Sequence, residues 1–199
     1  GSAYQETLQG DANANWIAGD DGVDTLYGNA GNDRLAAGGW SIFNYDDDDD
    51  ASSILSDVND TNNNDNDVLY GGAGNDSLYG SSGDNTLDGG TGTDTIWSGT
   101  GSDTIVIRSG DGSTTLANAD VLRDFSDGND VIGMDGLNYG DLTISQGTGD
   151  YSSHVLLSLT SSSEYLLVIH NTSASNITAP DFSSTSTSNQ SFTGDSSNN

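Results

Sequence analysis

The sequence predicts an all-β chain, a parallel β-roll closed by a C-terminal β-strand cap, and three observations carry that prediction. Units rich in glycine and aspartate return every nine residues between positions 10 and 106. Each unit brings one aliphatic residue to its eighth place. After the units, apolar runs of strand length take over. The clearest unit is Gly71-Gly72-Ala73-Gly74-Asn75-Asp76-Ser77-Leu78-Tyr79. Others start at Gly10, Gly19, Gly28, Gly80, Gly89 and Ser98, which puts Asn15, Asp24, Asp33, Asn85, Asp94 and Asp103 at the sixth place. Their eighth places hold Ile17, Leu26, Leu35, Leu87, Ile96 and Ile105. A split unit opens at Ala37-Gly38 and resumes at Asp65, giving Asp67 and Leu69 the same two roles. Composition alone reads as a Gly/Asp/Asn-rich disordered linker, but a linker has no reason to return an aliphatic at every ninth residue.

The turn comes first in each unit. Six residues with glycines at fixed places let the backbone take positive φ and aim its carbonyls at one point, and a three-residue strand then carries one inward aliphatic. Two units make one coil, so each turn stacks on the turn two units away. One edge collects Asn15, Asp33, Asp76 and Asp94, and the other collects Asp24, Asp67, Asn85 and Asp103. Only 32% of the chain is hydrophobic, so an oil-drop core cannot hold all of it together.

Charge supplies the next constraint. Of the 31 acidic residues only Glu6 and Glu164 are glutamates, and the formal net charge is -28. Aspartate is the residue of tight turns, where its short arm reaches nearby backbone or a metal held there. Two carboxylates about 4 Å apart repel by about 4 kcal/mol at an effective dielectric of about 20, and a compact fold multiplies such pairs. Divalent cations relieve that repulsion. Stacked side-chain oxygens and main-chain carbonyls suit an ion that takes six or more hard oxygen ligands, which is calcium; magnesium resists dehydration. Zinc and copper want nitrogen or sulfur, which His154 and His170 and a chain without cysteine do not supply.

The pattern G-G-x-G-x-D-x-U-x is matched at every defined position by the units at Gly71 and Gly89. It resembles the calcium-binding repeat of RTX proteins, the hemolysin type, over residues 10 to 106. The resemblance implies that each ion is held by the second, fourth and sixth residues of one turn and the first, third and sixth of the stacked one. Here that gives a site from Asn29, Gly31, Asp33, Gly71, Ala73 and Asp76. A second site comes from Gly72, Gly74, Asp76, Gly89, Thr91 and Asp94. The same mapping draws in Gly22, Asp24 and Asp67, then Gly80, Ser82 and Asn85, then Gly90, Gly92, Ser98, Thr100 and Asp103. About six or more calcium ions are implied, weaker where Asn15 or Asn85 replaces a carboxylate. Asp120 to Phe125 and Asp127 to Ile132 are similar to the segment that follows the roll in RTX C-terminal domains, with further ligands at Asp124 and Asp130. The wording of the cap is similar to RTX domains of cyanobacterial exoproteins.

Four regions flank or interrupt this plan: an N-terminal segment 1–9, an insertion at about 39–64, a β-rich cap 107–170 and a Ser/Thr/Asn-rich tail 171–199. The insertion carries Trp40, Ile42, Phe43 and Tyr45 and then five aspartates, Asp46 to Asp50; its aromatics are expected to dock it on the roll, the alternative being an exposed partner-binding surface. In the cap, Leu142 to Ser145, His154 to Leu159 and Tyr165 to Ile169 read as strands, the last two forming a hairpin. Nothing at the N-terminus reads as a signal peptide. By resemblance, the tail is an uncleaved type I export address or a contact segment.

Several function classes fall away. With Arg34, Arg108 and Arg123 as the only basic side chains besides histidine, the chain cannot neutralise a run of phosphates, and nucleic acid is excluded as a partner. No apolar stretch approaches the roughly 20 residues that span a bilayer. No catalytic constellation forms from two histidines, two glutamates and no cysteine, so an enzyme is not expected. The expected protein is a secreted calcium-binding module, extracellular or at the cell surface. It folds on calcium and serves as a structural, surface-layer, adhesin or self-assembling element, with copies of itself or cell-surface components as partners. The alternative is the C-terminal folding and secretion domain of a larger RTX exoenzyme.

Overall fold

The computed structural model describes residues 4–38 and 65–185. The insertion, with the aromatics expected to dock it and the five aspartates, and the end of the tail with Phe192 lie outside the described residues.

Two sheets face each other. The first has seven strands in the order β1 (Thr7–Gln9), β3 (Thr25–Ala30), β5 (Val68–Ala73), β7 (Thr86–Thr91), β9 (Thr104–Arg108), β11 (Val131–Asp135) and β15 (Phe182–Thr185). The second has eight, in the order β12 (Leu142–Gln146), β13 (Val155–Leu159), β14 (Tyr165–Ile169), β10 (Asp120–Leu122), β8 (Thr95–Trp97), β6 (Ser77–Tyr79), β4 (Arg34–Ala36) and β2 (Trp16–Ala18). Odd and even strands of the roll alternate between the sheets because each turn carries the chain across. Every pairing within the roll is parallel, with Leu26 opposite Leu69, Leu69 opposite Leu87, and Leu35 opposite Leu78.

That register stacks the eighth-place aliphatics into two facing rows. Leu26, Leu35, Leu69, Leu78, Leu87 and Ile105 are fully buried, and Leu122 and Ile132 continue the rows without exposure. Burying a leucine contributes roughly 1.5 to 3 kcal/mol. The rows are therefore the main apolar stabilisation of a roll whose turns are polar. In the cap, β12, β13 and β14 form an antiparallel meander as expected. Val155, Leu157, Leu167 and Ile169 from it join the core of the roll.

The structure extends the roll beyond 10–106 at both ends. β1 pairs with β3 ahead of Gly10, and Glu6-Thr7-Leu8 repeats the acid-x-aliphatic end of a unit. At the other end β10 adds to β8, and β11 to β9. Both keep that triplet, as Asp120-Val121-Leu122 and Asp130-Val131-Ile132; the six places that end at Asp120 hold no glycine, and those that end at Asp130 keep only Gly128, at the fourth place with φ 84°. The first part of the tail is also built into the fold. Thr178 N–H donates to Asp181 Oδ2 at 2.7 Å, Ile177 is buried, and β15 runs parallel to β11 with Phe182 opposite Ile132.

The rows make a direct prediction. Leu78→Ala should lower the unfolding free energy in saturating calcium by about 3 kcal/mol. Val23→Ala, at a 43% exposed turn position, should stay within about 0.5 kcal/mol. Denaturant unfolding of both variants is the measurement, and equal losses would contradict the packing described.

Candidate metal centre

The turns are shaped by close stacking of backbone on backbone. At the fourth place Gly74 has φ 140°, and a Cβ there would lie 1.7 Å from the carbonyl oxygen of Gly31. Gly92 stands in the same relation to Gly74, at 1.7 Å. Second-place residues also take positive φ: Gly72 at 109°, Gly90 at 88° and even Asn29 at 76°. Asn29 is held there by its side-chain Nδ2, which donates to the Gly10 carbonyl at 2.7 Å. Left-handed backbone at the second and fourth places turns successive carbonyls inward.

The sixth-place side chains then form two ladders. On one edge the N–H groups of Asn15, Asp33 and Asp76 donate to Oδ1 of Asp33, Asp76 and Asp94 at 2.7, 2.7 and 2.8 Å. Asp94 N–H continues to Asp120 Oδ1 at 2.9 Å. On the other edge Glu6 N–H donates to Asp24 at 2.8 Å, Asp24 to Asp67 at 2.6 Å, Asp67 to Asn85 at 2.8 Å and Asn85 to Asp103 at 2.8 Å. Asp103 N–H closes the run on Asp130 Oδ1 at 3.2 Å. The steps are 18 residues within the regular repeat and 43 across the insertion, so the split unit joins without loss of register. At the split, Gly22 N–H donates to Asp65 Oδ2 at 2.8 Å.

Each aspartate of the regular repeat uses one carboxylate oxygen for its rung and leaves the other buried. Oδ2 of Asp24, Asp33, Asp67, Asp76, Asp94 and Asp103 has no hydrogen-bond partner. Main-chain carbonyls of the stacked turn lie near these oxygens. A Cβ on Gly71 would meet both Asp76 Oδ2, at 2.6 Å, and the Gly89 carbonyl, at 2.5 Å. On Gly28 it would meet Asp33 Oδ2 at 2.5 Å and the Gly71 carbonyl at 2.4 Å. Burial raises Asp67, Asp94 and Asp103 to about 7 and Asp76 to about 6, and raises Asp24 and Asp33 as well. Buried anionic oxygens converging with carbonyls are costly without a cation. Among the described residues no three His, Cys, Asp or Glu side chains cluster as a metal site by themselves. An ion here draws on main-chain oxygen, and the donor set fits calcium.

The remaining expected ligands are placed differently. Asp124 accepts the N–H groups of Ser98 and Gly99 at 2.8 and 3.0 Å. Asp130 Oδ2 accepts the Ser126 N–H at 2.8 Å and the Ser98 hydroxyl at 3.2 Å. Both carboxylates thus carry hydrogen bonds on each oxygen. Thr100 lies bridged to Ser82 in the stack. Sequence reasoning missed Asp120, which burial raises to about 8; the signal that would have found it is its acid-x-aliphatic triplet. It also missed Arg108, whose guanidinium bonds Asp88, Asp111 at 2.7 Å and Asp135 at 3.3 Å. His154 and His170 stack on each other at 4.1 Å, and burial, Arg123 and His154 lower His170 to about 4.

A family model described as the RTX calcium-binding nonapeptide repeat matches the chain in four copies, over residues 1–39, 61–96, 70–105 and 79–113. No curated sequence matches it. Among solved structures 36 chains match. The AlgE6R2 subunit of the mannuronan C5-epimerase from Azotobacter vinelandii is 16% identical, with a TM-score of 0.48 over 90% of this chain and 93% of that one. The AlgE6R3 subunit from the same source is 18% identical, with a TM-score of 0.34 over 98% of this chain and 86% of that one. The extracellular lipase LipA from Serratia marcescens is 17% identical, with a TM-score of 0.42, and the match covers 92% of this chain and 38% of the lipase. These are likenesses of fold, not of activity.

The raised carboxylates set a pH dependence whose sign can be worked out. Below about pH 4 these groups are protonated in both folded and unfolded chains and cost nothing. Between that value and the folded values of about 6 for Asp76 and about 7 for Asp67, Asp94 and Asp103, the folded chain holds more protons than the unfolded one. Stability of the calcium-free chain therefore falls as pH rises. In EDTA the β circular-dichroism signal should grow on acidification from about pH 8 to about pH 5, starting at the folded values near 6 to 7 instead of the roughly 4 of exposed carboxylates. A fall over that range would contradict the burial argument.

Proposed function

We propose that this chain, which carries four copies of the RTX calcium-binding nonapeptide repeat, is an exported module that folds on calcium outside the cell and acts there as a structural element. The observation that carries the reading is the set of six buried carboxylate oxygens without hydrogen-bond partners. Calcium, when bound, supplies the positive charge those oxygens lack. Asn29, Gly31 and Asp33 with Gly71, Ala73 and Asp76 would hold one ion, and Gly72, Gly74 and Asp76 with Gly89, Thr91 and Asp94 the next. Extracellular calcium modules work at roughly 10⁻⁴ to 10⁻³ M, levels at which such sites fill only after export. A structural role fits the chemistry better than catalysis. The repeat aspartates are committed to the ladders, and the two histidines stack on each other.

Assembly is part of the proposal. β1 and β2 are the edge strands of the opening coil, and an edge of this kind accepts a strand from a second copy or a cell-surface partner. Light scattering on calcium addition tests this, and a monodisperse monomer at saturation would leave the folding module without self-assembly.

The folding claim has its own test. At ten times its dissociation constant each independent site adds about 1.4 kcal/mol, so about six sites rival the 5 to 15 kcal/mol of a whole domain. Circular dichroism in calcium should show a β spectrum that collapses in excess EDTA; an unchanged spectrum would sink the reading. Asp76→Ala removes a ligand on two sides and strands the Asp33 N–H. It should cost roughly 2 kcal/mol or more in calcium and lower the bound calcium measured by calorimetry.

A further inference from the structure

The edge that carries Asp24, Asp67 and Asp103 includes one amide, and the two ends of that amide do different things. Asn85 Oδ1 accepts the Asp67 N–H at 2.8 Å, the rung a carboxylate would make. Its Nδ2 takes the place where the flanking aspartates present an unpartnered oxygen. There it donates to carbonyls of its own turn, to Gly80 at 2.8 Å, Gly83 at 3.2 Å and Ser82 at 3.4 Å. The opposite orientation would set the NH₂ against the Asp67 N–H and an oxygen against three carbonyls, so the backbone dictates which way the amide faces. Asn85 is 1% exposed, which leaves no water to share in this arrangement.

Asn15 makes the contrast. Its Oδ1 faces the first place of its own turn, 2.1 Å from where a Cβ on Gly10 would sit, and accepts the Asp11 N–H at 2.7 Å. At Gly80 the corresponding neighbour is the Asn85 nitrogen, at 3.3 Å. The same residue type thus presents oxygen at the entry turn and nitrogen in the middle of the roll.

Gly80 and Ser82 are the first and third carbonyls of the turn, which the repeat pattern gives to an ion, and Asn85 is the sixth-place ligand. All three face an N–H donor instead, and this set does not fit a cation. We propose that the turn from Gly80 to Asn85 closes without calcium, the amide nitrogen of Asn85 standing in for the ion. The position it shares with the Asp67 turn then binds none. The inference rests on the calcium-binding reading of the other turns. It makes one point of the ladder permanently satisfied, whatever the calcium level.

Two measurements test it. Asn85→Asp restores a carboxylate and should bind one calcium more per chain than the unmodified protein by titration calorimetry. An unchanged calcium count would overturn the inference and leave the general reading intact, whereas an unmodified chain that binds no calcium would overturn both. In the unmodified protein at saturating calcium, NMR should find the Asn85 side-chain amide protons protected from exchange. Exchange as fast as that of an exposed asparagine would also overturn it, and this measurement needs no variant to fold.

Discussion

Everything in the roll follows from one hydrogen bond repeated along two edges, the N–H of a sixth-place residue donated to the side-chain oxygen of the next sixth-place residue in the stack. The bond requires a short acceptor at a fixed height, which explains aspartate over glutamate in the repeats. It also requires adjacent turns to approach until a Cβ at Gly74 would overlap the Gly31 carbonyl, which is why the fourth place is glycine. Within the regular repeat each rung satisfies only one oxygen, so the ladder leaves a buried oxygen without a hydrogen-bond partner at each aspartate it uses. The structural bond and the binding chemistry are two halves of the same carboxylate.

Much of this was legible in the sequence, for a physical reason: a repeat that stacks on itself writes its register into its period. The nine-residue spacing placed Asp33 on Asp76 and Leu35 on Leu78, and the structure has those pairs. Legibility ended where a signal became shorter than the unit. Glu6-Thr7-Leu8, Asp120-Val121-Leu122 and Asp130-Val131-Ile132 keep the acid-x-aliphatic triplet but lose most or all of the turn glycines, so in the sequence they look like flanking segments. β15 was hidden more deeply. Phe182 pairs in parallel with the strand of Ile132, a partner far away in the chain, and a stretch of serine and threonine gives no local hint of it. The orientation of the Asn85 amide could not be read at all, since composition is the same whichever atom faces the carbonyls.

The chain manages its acidity by more than one device. Arg108 gathers Asp88, Asp111 and Asp135 on one side of the first sheet. Along that face the stacked pair Tyr27 and Tyr70, with ring centroids 5.1 Å apart, gives way to Asp88 where Arg108 comes within reach. Asp124 and Asp130 are quieted by backbone and serine hydrogen bonds. Arg108 therefore serves as a fixed internal cation for carboxylates outside the ladders.

The cap follows a different rule from the roll it closes. Its meander buries Leu157, Leu167 and Ile169 against the rows of the roll, and Ala119, Leu156 and Val168 on its outer side. Stability there comes from apolar burial on both faces. An uncapped last coil would expose its aliphatics and two strand edges. By keeping the acid-x-aliphatic triplet at β10 and β11 while dropping most of the turn glycines, the cap accepts the last rungs from Asp94 and Asp103 on Asp120 and Asp130. It continues both sheets into a conventional core. The solenoid thus ends where its carboxylates pass from oxygen-lined turns to hydrogen-bonded ones, and the same two residues that finish the ladders begin the strands of the cap.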